Sequence, residues 1–358
     1  MTSLGRRPIS KRWVYALSTG VTLGLLTLGL AACGSRTATT STRSTPSGTV
    51  APAATTSSPA AQSSSGKTLI VFGAGTLANP FSQEFAAFKR QNPGVAIQSQ
   101  FGASSDMIRD VTQLGEPCDV VGSADYSLIP SEMFSAGSKS FATWYIGFVS
   151  NQITFAYTSH SKGAEQLTPT NWYRVLAEPG VRIGRSTPAA DPSGYQILQM
   201  LKLAQSYYHD PHISASILKN SPNSSEAPSE TSLLGALESG QIDYLAIYRS
   251  DALQDHLRYI DLPPQISLSD PALAKTYATV SVQGPTGPVT GKPIIYGLTI
   301  PTNAPHPSLA EKFVAFVLSA QGRAIMRANG FVVLSPALAS NPSALPVPLQ
   351  HLTKAWPK

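Results

Sequence analysis

Cysteine and charge are both scarce in this chain. Its 358 residues hold two cysteines, Cys33 and Cys118, which is too few for a disulfide framework or a cysteine-based metal site. Charged residues make up 13% of the sequence against 42% hydrophobic ones, so there is ample apolar material for a folded core, in two lobes at this length. Acidic residues are absent from the first 66 positions, which carry six basic ones: Arg6, Arg7, Lys11, Arg12, Arg36 and Arg43. The remainder balances 20 basic against 20 acidic residues, so the net charge of +6 belongs to the leading segment and implies no nucleic-acid surface. No His-Glu-x-x-His, Walker-type loop or Gly-x-Ser-x-Gly elbow occurs, and no internal repeat. The pair His209 and His212 falls at an expected helix end and reads as solvated surface. Nothing in this inventory points to catalysis.

The leader has the layout of an export signal. Arg6-Arg7 and Lys11-Arg12 precede an apolar stretch over 13–30 that closes on Leu30-Ala31-Ala32-Cys33. A small-residue run ending in Cys is the processing site of bacterial lipoproteins, so cleavage before Cys33 and lipidation of its thiol are expected. A plain membrane-spanning anchor is the alternative. Several acyl chains on one Cys would hold the protein firmly at the outer face of the membrane. Residues 34–66 are almost wholly Ser, Thr, Ala, Pro and Gly, too poor in apolar surface to offset ordering entropy, and read as a disordered tether. Cys118 then has no partner and reads as a small buried hydrophobe near a strand.

Folded sequence begins at Thr68. Leu69-Ile70-Val71-Phe72 is a continuous apolar run, as in a strand buried on both faces. Helices over 81–90 and 107–114 alternate with strands over 95–97 and 119–121, the pattern of a doubly wound α/β domain. Further on the sequence predicts strands over 152–157, 181–184, 244–248 and 294–300. Helices are predicted over 171–177, 194–208, 233–238 and 308–329, with Trp172 and the Tyr207-Tyr208 pair as packing. Crossovers near 150 and 292 would divide the chain into lobe I, residues 67–150 plus 292–358, and lobe II, residues 151–291. Each lobe would carry a mixed, mainly parallel sheet, with a hinge between them.

Three strand ends open towards helices with small, hydroxyl-bearing residues: Gly73-Ala74-Gly75-Thr76, Gly102-Ala103-Ser104-Ser105 and Asp191-Pro192-Ser193-Gly194. Any one of them alone reads as a helix cap. Three together, at the ends of strands where open α/β sheets bind ligands, form a donor set for an anion without a buried Lys or Arg.

Stretches of the chain from about 68 to about 336 carry a resemblance. They include Val71-Phe72-Gly73-Ala74-Gly75-Thr76-Leu77, Ala124-Asp125-Tyr126, Asn151-Gln152-Ile153, Asp191-Pro192-Ser193-Gly194-Tyr195 and Ile247-Tyr248-Arg249-Ser250, followed by Gly291-Lys292-Pro293-Ile294 and Tyr296-Gly297-Leu298-Thr299. In this order they resemble the molybdate/tungstate-binding receptors of ABC importers, in particular the archaeal-type tungstate branch. The resemblance implies a two-lobed periplasmic-binding-protein-like α/β fold. It also implies a non-enzymatic, monomeric receptor with no cofactor, whose partners are a small oxyanion, an ABC permease and its ATPase. Carried over position by position, it places Thr76 and Ser104 as hydroxyl donors and Asp191 as the Asp of the Asp-Pro-x-Gly-Tyr motif. Tyr248 falls near the oxyanion. Gly75, Ser105 and Ser193 supply backbone N–H groups. In the tungstate branch an Asp and a later Glu can ligate the metal; Asp191 and Glu230 take those places. The branch's Arg-Ser-Met-Glu signature is reduced here to Ser229-Glu230, and its paired Asp to Ala190-Asp191, so four-coordinate and six-coordinate binding both stay open. A receptor of the same fold for sulfate or another small anion is the alternative.

Overall fold

A computed structural model describes residues 68–135 and 139–356. The leader, Cys33 and the expected tether lie outside them. Among the described residues no helix is long and apolar enough to cross a membrane.

The strands are β1 (Thr68–Ala74), β2 (Ala96–Gly102), β3 (Val120–Ser123), β4 (Ile146–Ser150), β5 (Ile153–Tyr157), β6 (Ile183–Ser186) and β7 (Glu226–Ala227). They continue with β8 (Tyr244–Tyr248), β9 (Arg258–Tyr259), β10 (Ser281–Gly284), β11 (Gly287–Thr290), β12 (Ile295–Thr299), β13 (Val332–Ala339) and β14 (Thr353–Ala355). One sheet has seven strands in the order β14-β13-β4-β12-β3-β1-β2 and the other five in the order β7-β6-β8-β5-β9, with β10-β11 a separate hairpin. A lobe is built about each large sheet. The order β3-β1-β2, all parallel, with the helices Ala78–Gln91 and Ser104–Thr112 in the crossovers, is the doubly wound unit expected from the sequence. β4, β12 and β13 pair antiparallel in the first sheet, as do β5, β8 and β9 in the second. Both sheets are therefore mixed, with parallel and antiparallel pairs in equal number rather than mainly parallel. The antiparallel strands β4, β5 and β12 flank the segments where the chain passes between lobes.

Apolar content decides which elements are central. β1, β4, β8 and β12 are almost wholly buried, whereas β2, at the edge, has no fully buried residue. The helix Ala78–Gln91 turns Phe81, Phe85 and Phe88 inward, three and four residues apart. They meet Phe313 of the helix Pro307–Val317 with ring centroids 5.3–5.8 Å apart. In the second lobe the helix Pro192–Tyr207 lies on β5 and β8, and the fully buried Trp172 packs 6.0 Å from Phe155. Cys118 is buried beside β3, its thiol 3.2 Å from the Val120 carbonyl, and burial pushes its pKa up to about 12.

The single helix expected over 308–329 is two, Pro307–Val317 and Ala320–Ala328. Ser319 breaks it: its extended backbone leaves the helix and its hydroxyl accepts from the Gly322 N–H, capping the second segment. Replacing Phe313 by Ala removes the ring on which three others converge. The expected loss is about 3–5 kcal/mol of unfolding free energy, measured by urea titration of the purified protein.

Candidate functional site

The functional side chains gather in the seam between the two sheets. Asp191 precedes the helix Pro192–Tyr207 with extended backbone, and its carboxylate accepts from the Ser193 N–H at 2.8 Å. Pro192 fills the first helical position, where its missing N–H costs nothing. Gly194 has to be glycine: a Cβ there would sit 2.6 Å from the Ser186 carbonyl oxygen, so only a bare Cα lets the helix start dock onto the end of β6. That docking sets the Ser193 hydroxyl 2.5 Å from the Ser186 hydroxyl, 2.8 Å from Asp191 Oδ1 and 2.9 Å from Glu230 Oε2. Asp191, Ser193 and Glu230, assigned separately from sequence, thus form one cluster.

A serine hydroxyl has one proton and two carboxyl oxygens lie within hydrogen-bond distance of it. Both contacts are satisfied when a carboxyl is itself protonated and donates to Ser193 Oγ. The electrostatics agree. Burial first, then the neighbouring Glu230 charge, raises the Asp191 pKa well above the ordinary range against the opposing hydrogen bonds of Ser193. Burial, then the charge of Asp251, brings Glu230 up to about 7. Asp251 is itself raised by burial and by Asp255 and Asp191, and its Oδ2 has no hydrogen-bond partner. Among the described residues no Lys or Arg pairs with Asp191, Glu230 or Asp251.

Gly75 and Thr76 form the turn that follows β1. A Cβ on Gly75 would lie 2.6 Å from Thr231 Oγ1, so the glycine lets the first lobe's turn touch the segment that carries Glu230. Thr76 is buried and donates to the Tyr296 hydroxyl at 3.0 Å. Tyr248, at the end of β8, is fully buried 5.8 Å from the Tyr296 ring, and its hydroxyl donates to Gln196 Oε1 at 2.8 Å. Ser104 starts its helix and accepts from the Ala124 N–H, tying the opening to the end of β3. Ser105 reaches across the seam: its N–H donates to the Ala190 carbonyl at 3.2 Å and its hydroxyl to Glu132 at 2.9 Å. The backbone donors of Ser105 and Ser193, expected from sequence to be free, are engaged in this closed arrangement. Two clefts reach the seam. One of about 490 Å³ is lined by Ser105, Arg109, Glu132, Ala189 and Thr286; another of about 410 Å³ is lined by Gly75, Asn79, Thr231, Asp251 and Gln254.

Sequence reasoning missed the charged lock beside this site. Asp125, past the end of β3, accepts from Tyr195 of the other lobe at 2.7 Å and from the Ser127 N–H at 2.8 Å, and pairs with Lys292 at 2.9 Å. Burial works to raise its pKa, but Lys292 and these hydrogen bonds outweigh it and hold the carboxyl below its ordinary value. Asp125, Tyr195 and Lys292 all lie within motifs that carry the resemblance; their mutual contact had no signal of its own.

The chain belongs to the bacterial extracellular solute-binding protein family, whose profile matches residues 69–332. One relative is the molybdate/tungstate-binding protein WtpA of Pyrococcus abyssi, 38% identical over 299 residues that cover 76% of this chain and 86% of that one. Among solved structures, the periplasmic molybdate-binding protein of Azotobacter vinelandii superposes with a TM-score of 0.55 at 18% identity, covering 74% of this chain and 99% of the other. The sulfate-binding protein SubI of Mycobacterium tuberculosis superposes with a TM-score of 0.52 at 15% identity, covering 74% and 86%. These last two share the fold.

The raised Glu230 pKa fixes a pH dependence. A carboxyl that holds its proton more tightly when folded destabilises the folded state as pH rises from its unfolded pKa to its folded one. Between about pH 4.5 and 7 the ligand-free protein is expected to lose stability, with Glu230 contributing about 3 kcal/mol. Thermal unfolding at pH 5 and pH 8 measures this; Glu230→Gln flattens the difference.

Proposed function

We propose that this protein is an extracytoplasmic receptor that captures molybdate or tungstate between its two lobes and delivers it to an ABC importer. Lobe I would comprise residues 67–150 and 292–358, and lobe II residues 151–291. The single observation that carries the reading is the convergence, in one buried seam, of Thr76, Asp191, Ser193, Glu230 and Tyr248, in a chain 38% identical to a protein named for binding these two anions.

The chemistry suits a small dianion that must be released again. The seam offers hydroxyls, helix openings and carboxyls that can carry protons. A protonated carboxyl donates a hydrogen bond without adding negative charge, so acids beside an anion do not defeat binding. The absence of an adjacent Lys or Arg among the described residues avoids an overly tight ion pair. Gly75, Thr76, Ser104, Ser105 and Ser193 would surround the oxyanion once the lobes part and close again about it. Asp191 and Glu230 would either ligate its metal through deprotonated oxygens or orient the hydroxyls around a four-coordinate ion. The lipid anchor at Cys33, residence at the outer face of the cytoplasmic membrane, a monomeric state, and docking to a permease with its ATPase complete the proposal. It involves no catalysis and no cofactor.

Calorimetric titration of the purified protein with molybdate, tungstate and sulfate tests it. Heat with molybdate or tungstate at micromolar concentration or below is expected, and Asp191→Ala weakens it at least about tenfold, the value of one charge-assisted hydrogen bond. Heat with sulfate alone would favour the second reading, a sulfate receptor, which the SubI superposition makes worth including. Repeating the titration in buffers of different ionisation enthalpy distinguishes the coordination modes: direct ligation by both carboxylates releases protons, and hydrogen bonding retains them.

A further inference from the structure

Tyr296, on β12, is fully buried. Its oxygen accepts two hydrogen bonds, from Thr76 Oγ1 at 3.0 Å and from Asn151 Nδ2 at 3.2 Å. The orientation of the Asn151 amide is fixed by its other partners. Its Oδ1 accepts from the Gln152 N–H at 3.0 Å and the Ser250 N–H at 3.4 Å, and its Nδ2 donates to Ser250 Oγ at 2.7 Å. Asn151 therefore presents N–H, not oxygen, to the phenol. With two donors on its oxygen, the acceptor capacity of Tyr296 is filled, and its own O–H has to point away from both.

Tyr248 is in the opposite condition. Its hydroxyl proton goes to Gln196 Oε1 at 2.8 Å, so it has none to give a ligand without breaking that bond. The two rings meet edge to face at 5.8 Å. Of these two phenols, the one with an uncommitted proton is the one that had not been assigned to the site from the sequence.

We propose that Tyr296 is a further ligand-binding residue, donating its phenolic O–H to an oxygen of the captured oxyanion. This rests on the oxyanion reading above. Thr76 and Asn151 become positioning residues: by donating into the phenol oxygen they turn its proton towards the ligand and polarise the O–H bond, making it a stronger donor. Asn151 follows β4, at one passage between the lobes, and Tyr296 lies on the strand that follows the other, so the donor is held by both connections and keeps its place whether the lobes are open or shut. Discrimination follows as well. A donor with no acceptor capacity left favours a fully ionised oxyanion over a protonated one, whose O–H would have no oxygen here to meet.

The test compares Tyr296→Phe with the wild type as full-length protein by calorimetry with molybdate and tungstate, with circular dichroism and thermal unfolding confirming that the variant is folded. Tyr296→Phe is expected to weaken binding about tenfold or more. Because Tyr296→Phe also strips an acceptor from Thr76 and Asn151, 3-fluorotyrosine at position 296 supplies a second measurement. It preserves the oxygen but makes the phenol more acidic, so binding tightens if Tyr296 donates. An affinity left unchanged by Tyr296→Phe, or weaker binding by the fluorinated protein, overturns the inference alone. A Tyr296→Phe variant that unfolds at lower temperature yet keeps its affinity leaves the phenol a purely structural role and overturns the inference. No heat from the wild type with either anion overturns the parent reading and this one with it.

Discussion

The Ser193 hydroxyl, with one proton between two buried carboxyl groups, is the constraint around which the seam is organised. Burial disfavours two uncompensated charges at Asp191 and Glu230, and among the described residues no Lys or Arg pairs with either. Protons take the place of the missing cation. That solution is available because Gly194 lets the helix start press against β6, which brings Ser186, Asp191 and Ser193 together and leaves Glu230 to complete the group from the following segment. A larger residue at 194 would back the helix away and dissolve the arrangement.

Charge is handled differently a few residues away. Asp125 keeps its negative charge because Lys292 answers it and Tyr195 and Ser127 hydrogen-bond to it. The seam therefore has two electrostatic regions. One is ionic and ties the first lobe, the crossover segment and the second lobe to one another. The other holds carboxyls that burial makes reluctant to ionise, and on the proposed reading it lies where a guest anion would be received.

Much of this was legible in the sequence, for identifiable reasons. Uninterrupted apolar runs marked β1 and β12 because strands buried on both faces leave no alternation to misread. The Asp-Pro-Ser-Gly opening was visible because cap, proline and glycine each have a positional meaning. β13 was not, since its eight residues mix exposed and buried positions and include Pro336. The continuous helix expected over 308–329 failed at Ser319, where a residue tolerated within helices served instead as a cap. Within the site, Thr76 and Asp191 were found from strand ends. Asp251 and Asn151 were not, because what matters about them is which partner each lacks or has, a property of three-dimensional neighbours. Tyr248 and Tyr296 look alike in the sequence, and only the count of donors and acceptors separates them.

The course of the chain through the seven-stranded sheet has a consequence for how the molecule comes into being. β1 to β4 are made first, yet β12, β13 and β14 must join them before that sheet is complete, and Trp356 then lies 4.4 Å from the Tyr126 ring. The earliest lobe to be synthesised is thus the last to be finished. Its central pairings join residues well over a hundred positions apart, the kind of contact that forms slowly. A polypeptide that cannot lock its first half until its final strands emerge stays unlocked through most of its synthesis.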